Sequence, residues 1–139
     1  MIEFFYETNF KIEEESKWKN WIKNSVLQQG FQTKEINYIF SDDEYLWGIN
    51  IDFLSHDYYT DVIGFQYTNG KELSGDIYIS IERVKDNAQQ LSVSFEDELA
   101  RVMIHGILHF MGFRDKTENE ISEMRKAENQ YLQIFKKSN

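Results

Sequence analysis

The sequence contains neither cysteine nor proline, and its seven glycines are scattered along 139 residues. Without cysteine there is no disulfide framework and no thiolate zinc site, so a bound metal would have to be held by His, Asp or Glu. No proline-rich or glycine-rich stretch is present that could serve as a linker between domains. Because a domain usually takes about 100 to 200 residues, we expect residues 1–139 to form a single domain.

Long apolar segments are also absent, since no uninterrupted run of apolar residues exceeds three. A membrane-spanning helix needs about 20 such residues. The start of the chain carries Glu3 and Glu7, where a secretory signal would carry basic residues. We therefore expect a soluble, cytoplasmic protein with no membrane partner.

Positive charge is in short supply, because 15 Lys and Arg residues stand against 24 Asp and Glu residues, for a net charge of −9. Nucleic acids are bound largely by Lys and Arg that displace counterions, so this balance excludes indiscriminate binding of phosphates by the whole surface. If the substrate is RNA, a local basic patch must bind it. Hydrophobic residues nevertheless make up 41% of the chain, which is enough for a packed core and argues against intrinsic disorder.

Hydrophobic periodicity predicts an α+β fold in which a small mixed sheet packs against helices. Alternation with a period of about 2 indicates strands, and a period of about 3.6 indicates helices. Ser41 with Glu44, and Thr117 with Glu120, match the capping-box pattern at the start of a helix. The predicted strands span 2–6, 33–40, 61–67 and 76–81, and the predicted helices span 13–29, 41–53, 82–89 and 94–111, with a last one from 117.

Two of the three histidines, His105 and His109, stand four residues apart in one predicted helix. Residues at this spacing share a helix face, with their Cβ atoms about 6 Å apart, which suits the chelation of a metal ion. Taken alone, such a pair could also face solvent or satisfy a hydrogen bond in the core.

Gly112 and Asp115 make the metal interpretation more specific. A glycine can adopt the left-handed conformation that ends a helix, which would let the chain turn back and bring Asp115 toward the two histidines. Three nitrogen and oxygen ligands leave a fourth position open, as in catalytic zinc sites. The spacing also matches part of the metzincin protease pattern, but Gly106 stands where those proteases have a glutamate base. We therefore predict a metal site on a helix in the C-terminal half.

The stretch HGILHFMGF at residues 105–113 resembles the signature of the YbeY family, the metal-dependent endoribonucleases of bacterial rRNA maturation. The resemblance extends over residues 49–116, about half of the chain. Its other landmarks, in order, are IN at 49–50, DYYTDVIGF at 57–65 and GDIYIS at 75–80.

This resemblance implies a single-strand-specific endoribonuclease that acts in late maturation of the 16S rRNA 3′ end and in ribosome quality control. It implies one divalent ion per chain, held by His105, His109 and Asp115. Zn²⁺ is the expected ion, with Mn²⁺ or Ni²⁺ as alternatives. The implied partners are rRNA or other single-stranded RNA and the ribosomal subunit or its proteins, and not DNA.

Two positions depart from the family pattern. Most members have a third His where Asp115 stands, and many have an Arg where Leu54 aligns. A carboxylate still binds zinc, but it shifts the preference of the site toward harder ions such as Mn²⁺. The missing guanidinium would have bound a phosphoryl group through two hydrogen bonds, so either another cation has replaced it or the activity is weaker.

Arg114 and Lys116 flank the third ligand and are the candidate catalytic cations. Arg101, one helical turn before His105, is a further candidate. The alternative for each is an ordinary surface position or, for Arg101, an ion pair with Glu98.

Several weaker signals accompany these candidates. Asp61 and Asp76 could orient a histidine, although either could simply serve a turn. His56 is an isolated loop residue and is left out of the site. Trp18 and Trp21 lie among lysines and could form a stacking track for single-stranded RNA, although packing of both rings in the core is the favoured interpretation.

Two other functions stay open on the sequence alone. A small metalloprotease would share the zinc ligands but lacks a base at Gly106. A noncatalytic ribosome-assembly factor would use the ion to hold its C-terminal half together, and Leu54 in place of Arg favours it.

Overall fold

Four strands and five helices make up the described part of the computed structural model, which covers residues 1–54 and 60–137, and the side chains of all of these except 52–54. The elements, in chain order, are β1 (Ile2–Tyr6), α1 (Glu15–Gln28), β2 (Gln32–Ser41), α2 (Asp43–Leu54), β3 (Val62–Gln66), β4 (Glu72–Ser80), α3 (Ile81–Leu91), α4 (Phe95–Phe110) and α5 (Glu118–Lys137).

The four strands form one mixed sheet in the order β1-β2-β4-β3. The pairs β1/β2 and β2/β4 are parallel, whereas β3 is antiparallel to β4. The expected α+β fold with a small mixed sheet is confirmed. Among the described strands, β3 pairs only with β4, so it is an edge strand of the sheet.

One face of the sheet carries the hydrophobic core. Tyr38, Phe40, Ile77 and Ile79 recur at every second position of β2 and β4 and are fully buried. The helices α1 and α4 pack over this face. The hydroxyl of Tyr38 donates a hydrogen bond of 2.9 Å to the backbone oxygen of Met103, which ties α4 to the centre of the sheet.

Trp18 and Trp21 of α1 belong to this core. They are 5% and 6% exposed, and their rings lie 4.5 and 4.7 Å from the ring of Phe135 in α5. The indole nitrogen of Trp21 donates to the backbone oxygen of Tyr131. Because both rings are covered, RNA bases have no face on which to stack, and the core interpretation is confirmed.

The helix α4 approaches β3 and β4 closely because glycines leave room for it. A Cβ atom on Gly75 would lie 2.6 Å from Cε2 of Phe110, and one on Gly64 would lie 3.0 Å from Cε1 of the same ring. On the helix, a Cβ atom on Gly106 would lie 3.0 Å from Cγ2 of Ile77. These contacts place the C-terminal half of α4 beside the edge strand β3.

Two sequence expectations are wrong in detail. The strand β4 begins at Glu72, earlier than expected, because the buried Leu73 and two small buried residues after it continue the pairing with β2. The helix α2 is capped by Asp42, whose carboxylate accepts a hydrogen bond from the backbone N–H of Tyr45. Ser41 does not cap this helix because it is still part of β2.

His56 and residues 57–59 of the family-like stretch lie outside the described residues, as does the side chain of Leu54. Within the ranges 1–54 and 60–137, no helix is both long enough and apolar enough to cross a bilayer.

Candidate metal centre

His105 and His109 lie one turn apart near the end of α4. Their Nε2 atoms are 3.0 Å apart, and their ring planes meet at 80°. The His105 side chain is 17% exposed and the His109 side chain 38%. The shared helix face expected from the spacing is therefore present, with one ring set deeper than the other.

Gly112 ends the helix and reverses the chain. Its φ angle of 99° lies in the left-handed region that glycine adopts without strain, as the sequence predicts. Its backbone N–H donates to the backbone oxygen of His109. After this turn, Oδ2 of Asp115 lies 3.4 Å from Nε2 of His105 and 3.3 Å from Nε2 of His109. The structure thus brings the three predicted ligands together.

Thr117 and Glu120 hold the loop that follows Asp115. The Thr117 hydroxyl accepts a hydrogen bond from the backbone N–H of Glu120, and the Glu120 carboxylate accepts from the backbone N–H groups of Lys116 and Thr117. The bond from Thr117 is the main reason that the pKa of Glu120 is lowered. The predicted capping box at the start of α5 is therefore confirmed, and it anchors the residues next to Asp115.

The separations of the three ligand atoms suit a single metal ion. Zinc bonds of about 2.0 to 2.2 Å in a tetrahedral arrangement place ligand atoms about 3.3 to 3.6 Å apart. The observed separations are 3.0, 3.3 and 3.4 Å. Two imidazole nitrogens and one carboxylate oxygen are donors that zinc and similar divalent ions accept, so the group could hold such an ion.

A buried carboxylate supports His105 from behind. Glu128 of α5 is 1% exposed, and its Oε2 lies 2.6 Å from Nδ1 of His105. Because Nδ1 is engaged there, Nε2 is the nitrogen that faces His109 and Asp115. Carboxylates commonly orient metal-binding histidines in this way.

Glu128 lies 23 residues from His105, so the local spacing of the ligands does not identify it. The signal in the sequence is its place on the apolar stripe of α5. It stands between Met124 and Tyr131 at helical spacing, and both neighbours are buried. A glutamate at a core position needs a partner, and a histidine of the metal group is that partner.

Arg101 lies deeper in α4 and is ion-paired. Its guanidinium donates to both carboxylate oxygens of Glu98, which is itself 1% exposed. Its Nη1 lies 3.6 Å from Oε1 of Glu128, and its Nη2 lies 3.9 Å from Oδ2 of Asp61. The hydrogen bonding to Glu98 raises the pKa of Arg101 above its ordinary value. The ion-pair interpretation is confirmed, and Arg101 is committed to three carboxylates instead of facing a phosphate.

Of the two aspartates expected to orient a histidine, only Asp61 lies near the site. Burial raises its pKa, while the charge of Arg101 opposes that shift. Asp76 accepts a hydrogen bond of 2.7 Å from the Tyr67 hydroxyl, which raises the pKa of Tyr67 to about 12. The expectation for Asp76 is wrong because it follows Gly75 in β4 and precedes Ile77, so alternation turns it away from α4.

The three ligands open into a cleft of about 660 Å³ between α4 and β3. Lys116 is on its lining, together with the polar side chains of Thr60 and Gln66. Arg114 lines a separate cavity of about 420 Å³ at the start of α5. The structure therefore brings one of the two candidate catalytic cations to the cleft and leaves the other beside it.

The opposite wall of the cleft is the side of β3 that faces away from β4, where none of the described strands pairs with it. Backbone hydrogen bonds from Ser80 N–H to the Asp61 oxygen, and from Tyr67 N–H to the Ser74 oxygen, fix the phase of the antiparallel pairing. Since bonded and non-bonded residues alternate in such a pair, the backbone of the remaining positions faces away from β4. Those positions, which also line the cleft, are Val62, Gly64 and Gln66.

The chain is similar along nearly its whole length to proteins of one family. The family model described as "Endoribonuclease YbeY" matches residues 3–136. Curated proteins named "Endoribonuclease YbeY" from Flavobacterium johnsoniae and Flavobacterium psychrophilum are 47% and 50% identical over 135 residues, covering 97% of this chain and 97% and 96% of the relatives. The solution structure of TM1509 from Thermotoga maritima matches with a TM-score of 0.70 and 25% identity, over 97% of this chain and 89% of that one.

Proposed function

The chain belongs to the YbeY endoribonuclease family, and on this basis we propose that it is a metal-dependent enzyme that cleaves single-stranded RNA. One observation carries the proposal. His105, His109 and Asp115 present three ligand atoms within 4.8 Å of one another at the open end of a cleft. The family membership supports RNA as the substrate, and the donor group supports the metal.

One divalent ion per chain would be held by His105, His109 and Asp115. Zn²⁺ is the proposed ion, with Mn²⁺ or Ni²⁺ as alternatives, because the carboxylate oxygen of Asp115 is a harder donor than an imidazole nitrogen. When bound, such an ion supplies a Lewis acid for an oxygen of the phosphodiester.

The residues of the cleft would bind and position the RNA strand. Lys116 offers a positive charge beside the ligand group, and Arg114 offers a second one on the neighbouring cavity. The outward N–H groups of Val62, Gly64 and Gln66 recur about every 6.8 Å along the strand and can donate hydrogen bonds to phosphate oxygens. Neutral donors of this kind bind phosphates without many cations, which suits a chain of net charge −9.

The proposed substrate within the cell is the 3′ end of 16S rRNA, cleaved late in its maturation and during ribosome quality control. The similarity to the YbeY family over residues 3–136 supports this assignment. The ribosomal subunit or its proteins are the proposed partners. The proposal does not extend to binding of DNA or of a membrane. We propose that the protein is located in the cytoplasm. We also propose that residues 1–139 form a single domain of the YbeY type.

A cleavage assay on an unstructured RNA tests the proposed activity. The purified protein, freed of contaminating ribonuclease, should lose cleavage when a chelator removes the metal and regain it when Zn²⁺ is added back. The double variant His105→Ala/His109→Ala should be inactive at every metal concentration. Cleavage that persists equally in this variant would contradict the proposal.

The metalloprotease alternative is disfavoured by the packing of α4. Gly106 occupies the position of the protease base, and even a Cβ atom there would press on Ile77 of the sheet. Chelator-sensitive hydrolysis of casein would revive this alternative.

The noncatalytic assembly factor is distinguished by a different result. In that case the wild type would cleave no RNA under any metal, and the double-histidine variant would support ribosome assembly as well as the wild type does.

A further inference from the structure

Glu128 is buried on α5, yet it contacts a group that belongs to the mouth of the cleft. Its side chain is 2% exposed, and its Oε2 lies 2.6 Å from Nδ1 of His105. A carboxylate withdrawn from water in this way is costly unless hydrogen bonds and opposite charges compensate for the lost hydration. The burial of Glu128 therefore depends on the hydrogen-bond donors and positive charges around its carboxylate.

We propose that Glu128, held by Arg101, is a positioning residue that fixes the tautomer and orientation of His105 for metal binding. The Nδ1–H of His105 donates to Glu128, which leaves the lone pair on Nε2 directed toward His109 and Asp115. This inference rests on the proposed metal binding and adds a residue of α5 to a site otherwise built from α4 and the loop after it.

Arg101 fixes the second oxygen of Glu128 by charge. Its Nη1 lies 3.6 Å from Oε1, and that oxygen has no hydrogen-bond partner within the described part of the chain. Arg101 is in turn anchored by its two hydrogen bonds to the buried Glu98. Nε of Arg125 also lies 3.6 Å from Oε1. Because the Arg125 side chain is 58% exposed, its charge contributes little to holding Glu128 in place.

The charges beneath the site favour a cation above it. Glu98, Glu128 and Asp61 together carry three carboxylates, and Arg101 is the guanidinium that lies between them. An excess of negative charge in a poorly solvated region raises the affinity of adjacent neutral ligands for a divalent ion. Glu128 brings part of this negative charge into direct contact with His105 through one hydrogen bond.

His105 and His109 differ in whether a carboxylate contacts Nδ1. Within the described residues, His109 contacts His105 and Asp115 through its Nε2, and no carboxylate lies at its Nδ1. In the metal-free chain, Nε2–H of His109 can then donate to the lone pair that Glu128 leaves on Nε2 of His105. The prediction is therefore asymmetric, with the proton on Nδ1 in His105 and on Nε2 in His109.

The first test needs no variant. Long-range ¹H–¹⁵N correlation spectra of the metal-free wild type, recorded where both imidazoles are neutral, report which ring nitrogen carries the proton. The expected result is a proton on Nδ1 of His105. A proton on Nε2 of His105 would overturn the inference.

The second test measures zinc affinity by competition with a chelating dye. Glu128→Gln keeps the shape of the side chain but removes its charge, and it should weaken zinc binding by about 10- to 100-fold. Glu123→Gln removes an exposed carboxylate from the same helix and is the matched control, which should bind zinc as the wild type does. Thermal unfolding of each metal-free variant verifies that it is folded.

The outcomes separate this inference from the proposed function. A wild type that binds no zinc would overturn the proposed metal site. A wild type that binds zinc, with unchanged affinity in folded Glu128→Gln, would overturn the role of Glu128 alone. Should Glu128→Gln fail to fold, the tautomer of His105 in the wild type still decides the question.

Discussion

The mouth and the base of the candidate site are built in opposite ways. The mouth consists of four residues within a short stretch at the end of α4 and the loop after it, of which His105 is partly buried and His109, Asp115 and Lys116 are exposed. The base consists of Glu98, Arg101 and Glu128, which come from two helices and form one ion-paired group. On the proposed function, the mouth would bind the metal ion and the substrate, and the base would hold His105 in position.

The largest effect should come from removing the histidines at the mouth. The double variant His105→Ala/His109→Ala leaves one carboxylate, which does not hold zinc by itself, so the metal content should fall to zero. Elemental analysis of protein purified without added metal measures this directly. Full occupancy in the double variant would show that the ion binds elsewhere.

The contrast between base and mouth is tested by replacing one cation in each. Arg101→Met leaves Glu98 and Glu128 buried without the guanidinium that lies between them and should destabilise the metal-free protein by about 3 to 5 kcal/mol. Lys116→Met changes an exposed side chain and should alter stability by less than about 0.5 kcal/mol. Urea unfolding of both variants gives the comparison. Equal losses of stability in the two variants would mean that the ion pairs of the base stabilise the fold no more than the exposed Lys116 does.

A smaller effect is expected when the third ligand is changed. Asp115→His replaces the carboxylate with an imidazole and should favour zinc over manganese several-fold, since a nitrogen donor is softer than a carboxylate oxygen. A competition titration with both ions measures the ratio. If the ratio is the same as in the wild type, Asp115 is not a ligand.

The smallest effect concerns the cations beside the ligands. Lys116→Ala should slow cleavage of an unstructured RNA several-fold at low salt, because Lys116 lines the cleft. Arg114→Ala should slow it less, because Arg114 lines the adjacent cavity, and Leu54→Arg should increase the rate. Metal content is verified in each variant. A greater loss in Arg114→Ala would reverse the order that the cleft geometry indicates.

The mouth could be predicted from the sequence because it is local. The i, i+4 spacing of His105 and His109, the left-handed turn at Gly112 and the capping box at Thr117 each depend on neighbours within a few residues. Helix and strand propensities and hydrophobic periodicity also depend on residues that are close in sequence. For this reason the α+β class and most strand and helix positions could be predicted as well.

The base could not be predicted because it depends on packing between distant segments. Glu128 approaches His105 only when α5 lies along α4, and Asp61 approaches Arg101 only when β3 lies beside α4. No local pattern specifies these approaches. The same reason explains Asp76, whose direction depends on the strand register of β4 and not on the motif that contains it.

The most direct measurement of the central claim is a structure of the zinc-loaded protein with the ion located by its anomalous scattering. The expected result is one ion bonded to Nε2 of His105, Nε2 of His109 and a carboxylate oxygen of Asp115, with Glu128 still hydrogen-bonded to Nδ1 of His105. An ion bound by other residues, or a His105 ring turned so that Nδ1 bonds the metal, would contradict it.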